Sequence, residues 1–352
     1  SRARFFSALQ KEVDYIQKKY PHLVFDTFYL GGGSPSILTI PELEQLVLML
    51  RKAFEFRKGH EFSFEFNPGD GDQEKIKTLK KLGVNRISLG AQAFQDSLLK
   101  TLGRRHAVKD IKSSVKKIRD AGIDHISFDL MLRIPGQTPE DFQRSLKACI
   151  ALKASQISLY DLEVHPHTVF GEAFKKGKLD LPSEEEHAQM YEAAIHRLCK
   201  AGYEHYEVSN FAKPGLASRH NLIYWHNQEY LGLGPGAFSY LEGVRSQFAS
   251  DLDRYLKKCE AENWEWDSED VLSAEDIEKE TLVTGLRLQE GVKAQNFRKI
   301  HPGLKQRIKA LCEEQLLEEI KGKVRLSERG KALSEDVFSF LLQKETDFFK
   351  QG

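Results

Sequence analysis

The chain has 352 residues, with Lys plus Arg and Asp plus Glu equal at 52 each. That length suffices for one large or two modest domains with a real core, and the charge balance excludes a polyanion such as nucleic acid as the expected main partner. No apolar run approaches the roughly 20 residues of a membrane span, and no signal-peptide pattern opens the chain, so a soluble, cytoplasmic protein is expected. Cys149, Cys199, Cys259 and Cys312 lie at least 50 residues apart, which rules out a CxxC pair or metal-ligand spacing. Free, buried thiols are expected.

The first segment, SRARFFSALQKEVDYIQKKYP, reads as a helix with no strand before it. From Leu23 a short β-branched or aromatic run, a polar break and an amphipathic helix then recur. Strands are expected over 24–30, 61–66, 85–89, 123–130 and 156–164. The helices between them open on Pro or Thr-Pro and close on Gly in several cases. Serial βα of this kind implies a parallel sheet or barrel with right-handed crossovers. The unpaired first helix implies a strand and loop upstream of Ser1, which would make six βα units. One further strand is expected over 203–211, and the rhythm then breaks in a Gly/Pro/aromatic-rich stretch from Lys213 to about Gly243. Helices resume near Asp251 and Glu275. The tail from Leu304 reads as helix, a hairpin turned at 321–323, and helix, a winged-helix-like order.

In a βα barrel ligands gather where strands end. The first strand runs into Gly31, Gly32 and Gly33, then Ser34. Three absent Cβ atoms let a ligand lie on backbone, and no GK[ST] follows to make a phosphate loop. Later strand ends contribute Glu65, Gln92 and Asp129, while Arg104 in LGRRH could pair with Asp129 or clamp a ligand carboxylate. Asp129 between Phe128 and Leu130 needs a partner or a ligand if buried. Singly each is an ordinary salt bridge or cap. Together they describe an acidic, amide-lined rim with one guanidinium, suited to an amino-acid nucleoside. The GxGxxA pattern from Gly232 is no dinucleotide site, since Pro235 is followed by no helix. Glu163, His165 and His167 alternate, but Pro166 argues for a loop, and Cys199 three residues from His196 lacks a third group to orient a catalytic thiol. His220, Tyr224 and Trp225 lie in a stretch expected to be a solvent-reachable loop. There His220 could ligate iron and the aromatics could face a porphyrin, or the loop could pack on the barrel with His220 as a hydrogen-bonding residue.

FYLGGGSPSIL, FEFNPGD, LGVNRISLGAQAF, LGRRH, GIDHISFDLML with IPGQTPEDF, and GYEHYEVSNFA together resemble radical S-adenosylmethionine (SAM) proteins of the HemN/HemW group. HNLIYW matches the HNxxYW pattern of the HemW type. The resemblance covers nearly the whole chain. It implies an α/β fold, a partial (β/α)6 radical SAM barrel with a mainly helical, winged-helix-like C-terminal domain. The parts would be the barrel over 1–212, a connecting region over 213–270 and the C-terminal domain over 271–352. It further implies SAM held by Gly32, Gly33, Ser34, Glu65, Gln92, Arg104 and Asp129, and haem held by His220, Tyr224 and Trp225, with His220 on the iron. The family's CxxxCxxC, which holds a [4Fe-4S] cluster, does not occur in the sequence and is expected upstream of Ser1. The implied role is a haem chaperone that passes haem to acceptor haemoproteins such as those of respiratory chains, with peripheral membrane contact or a homo-oligomer compatible with it. The alternative is oxygen-independent coproporphyrinogen III oxidase chemistry, begun by a 5′-deoxyadenosyl radical. The chain departs from the family in having Arg133 where glycine is usual and Phe238 where histidine is usual, placing bulk near the expected cavity.

Overall fold

Helical periodicity and capping set the first element. Ser1 caps a helix, α1 (Arg2–Lys19), that buries Phe6, Leu9, Val13 and Ile16 on one face. The computed structural model describes residues 1–293 and 302–342. Strand β1 (Val24–Leu30), helix α2 (Ile40–Ala53), β2 (Glu55–Phe66), α3 (Gln73–Lys81) and β3 (Arg86–Gln92) follow. Next come α4 (Asp96–Thr101), α5 (Val108–Asp120), β4 (His125–Leu132), α6 (Pro139–Ala151) and β5 (Gln156–Asp161). Helices α7 (Val169–Lys175) and α8 (Glu184–Lys200) lead to β6 (Glu204–Glu207) and β7 (Asn210–Ala212). The seven strands form one sheet in the order β1-β2-β3-β4-β5-β7-β6. Neighbours from β2 to β5 are parallel.

The expected single strand over 203–211 is instead the antiparallel hairpin β6/β7. The correction has a local cause: Glu207 turns back to accept from the Ser209 N–H at 3.0 Å, which breaks the run. Thr138 builds a capping box with Asp141, so the helix start expected from Thr-Pro holds; Ser183 and Glu186 form a second one at the start of α8.

Alternation divides the sheet into two unlike faces. Phe62, Phe64 and Phe66, Ile87 and Leu89, Ile126, Phe128 and Leu130, and Ile157 and Leu159 fill one face and are buried. Glu61, Ser63 and Glu65, Arg86 and Ser88, Ser127 and Asp129, and Gln156 and Ser158 occupy the other. The register sets these in rows: Glu65 beside Ser88, Ser88 beside Ser127, and Asp129 beside Ser158. A parallel sheet usually reads as continuous apolar strands; here one face is mainly polar.

The remaining chain comprises α9 (Arg219–Trp225), β8 (Phe238–Leu241), β9 (Val244–Gln247), α10 (Leu252–Glu260), β10 (Ser268–Val271), α11 (Ala274–Leu286) and β11 (Val292–Lys293). Then α12 (Pro302–Glu313), β12 (Leu317–Ile320), β13 (Lys323–Leu326), α13 (Glu328–Ala332) and α14 (Ser334–Leu342) complete it. Lys321 and Gly322 both have positive φ, 52° and 75°, in the two-residue turn between β12 and β13, as a tight hairpin requires. The helix, hairpin, helix order expected for the tail is present, with β11 added to the hairpin.

Contacts group the chain into two units, one of residues 27–43 and 61–217, the other of 1–26, 44–60 and 218–352. This differs from the expected cut at residue 212, because α1 packs on α10. Ala8, Tyr255, Leu256 and Cys259 share a core with Phe248, Tyr15 stacks on Trp264 at 4.6 Å, and Arg4 pairs with Glu260. The thiols also depart from expectation: Cys149 and Cys259 are buried, but Cys199 is exposed and Cys312 half-buried.

Glu12 lies inside that core and accepts from Tyr255 Oη at 2.7 Å and Gly234 N at 2.9 Å. Burial raises its pKa from 4.5 to about 7, against the pull of those two donors. A carboxyl raised in the folded state favours folding when protonated, so this contribution is complete below pH 4.5 and is lost as pH rises through about 7. All three tryptophans, Trp225, Trp264 and Trp266, lie in this unit. Urea unfolding followed by tryptophan fluorescence should therefore show stability falling by up to about 3 kcal/mol across that window, with a flatter profile for Glu12→Gln.

Candidate functional site

The glycines at the end of β1 have three different roles. A Cβ on Gly31 would run into the Tyr29 ring and lie 2.6 Å from Glu65 Oε1, so any side chain here would have to push those groups aside. Gly32 has φ of 87°, which favours glycine, and donates its N–H to Glu65 Oε2 at 3.0 Å. Around Gly33 there is open space. Ser34 adopts φ of 58° and begins the 3-10 turn Pro35–Ile37.

Glu65 thus organises the loop. One oxygen accepts from Tyr29 Oη at 2.8 Å and the other from the Gly32 amide. Open space surrounds the missing side chains of both Gly32 and Gly33, while the Gly32 N–H itself is taken by Glu65. Burial, then the adjacent Glu65 charge, raises the Tyr29 phenol well above its usual range, so it stays a donor.

Beside Glu65, Ser88 Oγ stands 3.0 Å from both Asp129 oxygens. Burial raises Asp129 to about 7, opposed by the Ser88 hydroxyl and reinforced by the charge of Glu65. The partner foreseen for Asp129 is therefore a serine on the next strand. Arg104 forms no ion pair among the described residues; the one hydrogen bond its guanidinium makes to them, to Asn67 Oδ1, is long at 3.5 Å. Burial lowers its pKa, opposed by the charge of Asp129. A half-buried guanidinium left this poorly satisfied is suited to an incoming carboxylate.

Asn67 is the residue that the sequence did not single out. Its Nδ2 donates to Ser34 Oγ at 3.3 Å and to Asp70 Oδ2 at 3.2 Å, and its backbone N donates to Ser36 Oγ. The space a Cβ on Gly90 would fill lies 3.3 Å from Gln92 Nε2 and 3.6 Å from Asn67 Oδ1, which sets both amides around one bare backbone position. Gln92 itself has φ of 62° at a break in the β3/β4 register, a conformation that an ordinary strand residue avoids. His106, buried with Nε2 unpartnered among the described residues, completes the same loop as Arg104. The signals for Asn67 and His106 were their places in FNPGD and LGRRH. Gly32, Ser34, Glu65, Gln92, Arg104 and Asp129 are thus joined through Asn67, Ser88 and the Gly90 position.

The segment with His220 is a helix, α9, not the expected loop. Ser218 caps it by accepting from the Asn221 N–H at 3.3 Å. None of its seven residues is buried, Leu222, Ile223, Tyr224 and Trp225 included. His220 Nε2 lies 3.0 Å from Tyr224 Oη, with the two rings perpendicular at 5.1 Å. Arg287 lies 4.4 Å from the Trp225 ring centroid, so one indole face is already covered. The bulk of Phe238 and Arg133 also goes elsewhere than expected. Phe238 is exposed, and Arg133 reaches Glu184 at 2.8 Å with φ of 62°, a backbone state that explains why glycine suits that position. Glu163 and His165 form an exposed pair at 3.3 Å. No group of three His, Cys, Asp or Glu among the described residues could hold a metal, so a [4Fe-4S] cluster does not fit the residues present.

Substituting Gly31 by alanine should displace Glu65 from Tyr29 and Gly32 and cost about 1–3 kcal/mol, read as a lower Tm. Gly33→Ala, in open space, should stay within about 0.5 kcal/mol.

Comparison with known proteins accords with this arrangement. Residues 4–149 match the radical SAM superfamily and residues 272–333 the HemN C-terminal domain. The chain is 37% identical over 330 residues to heme chaperone HemW of Lactococcus lactis subsp. lactis, covering 92% of this chain and 86% of that protein. It is 36% identical over 345 residues to heme chaperone HemW of Bacillus subtilis, covering 96% and 91%. Among solved structures, coproporphyrinogen III oxidase (HemN) from Escherichia coli superposes with a TM-score of 0.83 at 20% identity, over 96% of this chain and 82% of that one, a likeness of fold. With its half-barrel sheet and these relatives, the chain belongs to the HemW-type radical SAM proteins.

Proposed function

We propose that this protein binds haem on α9 and transfers it to acceptor haemoproteins, and that its polar sheet face holds SAM. The observation that carries the haem assignment is α9 itself, a seven-residue helix presenting His220 together with four large apolar side chains of which none is buried. Half-buried apolar side chains beside a candidate metal ligand offer a partial contact surface to a flat, apolar, iron-bearing cargo. The naming of the relatives as heme chaperones supports the same reading. Acceptors in a respiratory chain, at a membrane surface, fit the role; no helix among the described residues is long and apolar enough to cross a membrane.

On the sheet face, Arg104 would clamp the methionine carboxylate of SAM. Asp129 and Gln92 would meet hydroxyl or amino groups. Glu65 would act chiefly by holding Gly32 and Tyr29, and Gly33 and Ser34 would border the ligand. SAM, when bound, supplies a sulfonium centre and a 5′-deoxyadenosyl group. The chain's own residues orient it and exclude water from it. Asp129, at about 7, can hold or release a proton near neutrality.

Haemin titration should give a Soret shift in the wild type that is weakened and spectrally altered in His220→Ala. An unchanged spectrum and affinity would remove His220 as the iron ligand. Arg104→Ala should weaken SAM binding by about 10-fold or more, the loss expected for a charge-assisted bidentate contact, measured calorimetrically. Conversion of coproporphyrinogen III to protoporphyrinogen IX by a full-length protein that includes the cysteine segment, reconstituted with its cluster, would replace the chaperone reading with the oxidase one.

A further inference from the structure

We infer that Tyr224 is a positioning residue which competes with haem iron for His220 and so keeps bound haem transferable. This rests on the haem reading of α9. The pairing follows from helix geometry, because residues four apart face the same side, and it places Tyr224 Oη 3.0 Å from Nε2 of His220. The perpendicular ring arrangement at 5.1 Å directs the hydroxyl at the imidazole edge rather than its face.

The phenol is held in place from its other side. Tyr230 packs edge-on against it with centroids 4.7 Å apart, and Tyr230 is itself bridged to Tyr240 through backbone bonds of 2.9 Å in both directions. With the ring proton on Nδ1, the phenol donates to the Nε2 lone pair, the pair of electrons that iron needs. Binding therefore exchanges one bond for another: the O–H···N contact opens, the Fe–N bond forms, the ring proton stays on Nδ1, and no electron moves. Release runs in reverse, with the waiting hydroxyl recapturing Nε2 as iron leaves.

The residues that follow Tyr224 anchor the helix. Trp225 is held by Arg287, and the adjacent turn is tied to α11 through Asn227 and Thr281 at 3.0 Å. The helix is thus anchored, with the half-buried His220–Tyr224 pair set on it one turn apart.

The test is haemin titration and haem transfer to apomyoglobin, with wild type, Tyr224→Phe, His220→Ala and the double variant, all checked for equal helix content by circular dichroism. Tyr224→Phe should bind haemin about 2- to 10-fold more tightly, the loss of one competing hydrogen bond, and release it more slowly by a similar factor. Its spectrum should keep the histidine-ligated form that His220→Ala loses. Equal affinity and release in wild type and Tyr224→Phe, with His220→Ala still altered, would overturn the competition while leaving His220 as ligand. Weaker binding in Tyr224→Phe with loss of a phenolate-to-iron band would make Tyr224 a ligand and also overturn it. A spectrum unaffected by His220→Ala would remove the haem reading and this inference together. Tyr224→Leu provides a second hydroxyl-free side chain, for which the same outcomes apply if Tyr224→Phe fails to fold.

Discussion

Two carboxylates side by side on one face of a parallel sheet set the terms for everything around them. Glu65 on β2 lies in register with Ser88 of β3, which pairs with Ser127 of β4 and reaches Asp129, two residues further on, through its side chain. Carboxylates on a largely buried face cost several kcal/mol unless donors meet them. The donors come from three directions: Tyr29 and the Gly32 amide for Glu65, and Ser88 for Asp129. Each donor in turn restricts its own surroundings. Gly31 must lack a side chain so that Tyr29 and Glu65 can meet, and Gly32 must turn to positive φ so that its amide faces the carboxylate.

Burial first, and the charge of Glu65 after it, raises Asp129 toward neutrality; the charge of Asp129 in turn opposes the burial that lowers Arg104, with no ion pair forming among the described residues. A site with an unsatisfied cation, two acids and two amides is preorganised for a zwitterionic ligand bearing hydroxyls, because its dipoles are already fixed by bonds within the protein. Asn67, bonded to Ser34 and Asp70, holds the loop at the end of β1 to the end of β2.

Much of this could be read from the chain. Val24–Leu30 has the bounds expected of it, since an apolar run between a Pro-containing turn and three glycines leaves no other reading. The later strands were located but shifted by a few residues, because in a parallel sheet the ends are set by the partner's register rather than by local composition. The split of β6 from β7 was not visible, since it depends on Glu207 folding back onto its own chain. Nor was the helix at His220: HNLIYW has mixed propensity, and Ser218 at its cap decides the outcome. The exposure of Cys199 likewise depends on which side of α8 meets its neighbours, not on residue type.

By itself the sequence determined the βα order, the bare-backbone loop and the identity of the polar residues at the strand ends, because periodicity, capping and missing Cβ atoms act over a few residues. Tertiary structure alone decided which of those groups meet. It committed Gly32 to Glu65, gave Asp129 a serine rather than an arginine, joined α1 to α10 across more than two hundred residues, and set Tyr224 against His220 under the packing of Tyr230. The physical reason is that hydrogen-bond partners and ring contacts depend on distances through space, which strand register and helix packing establish and which no local pattern encodes.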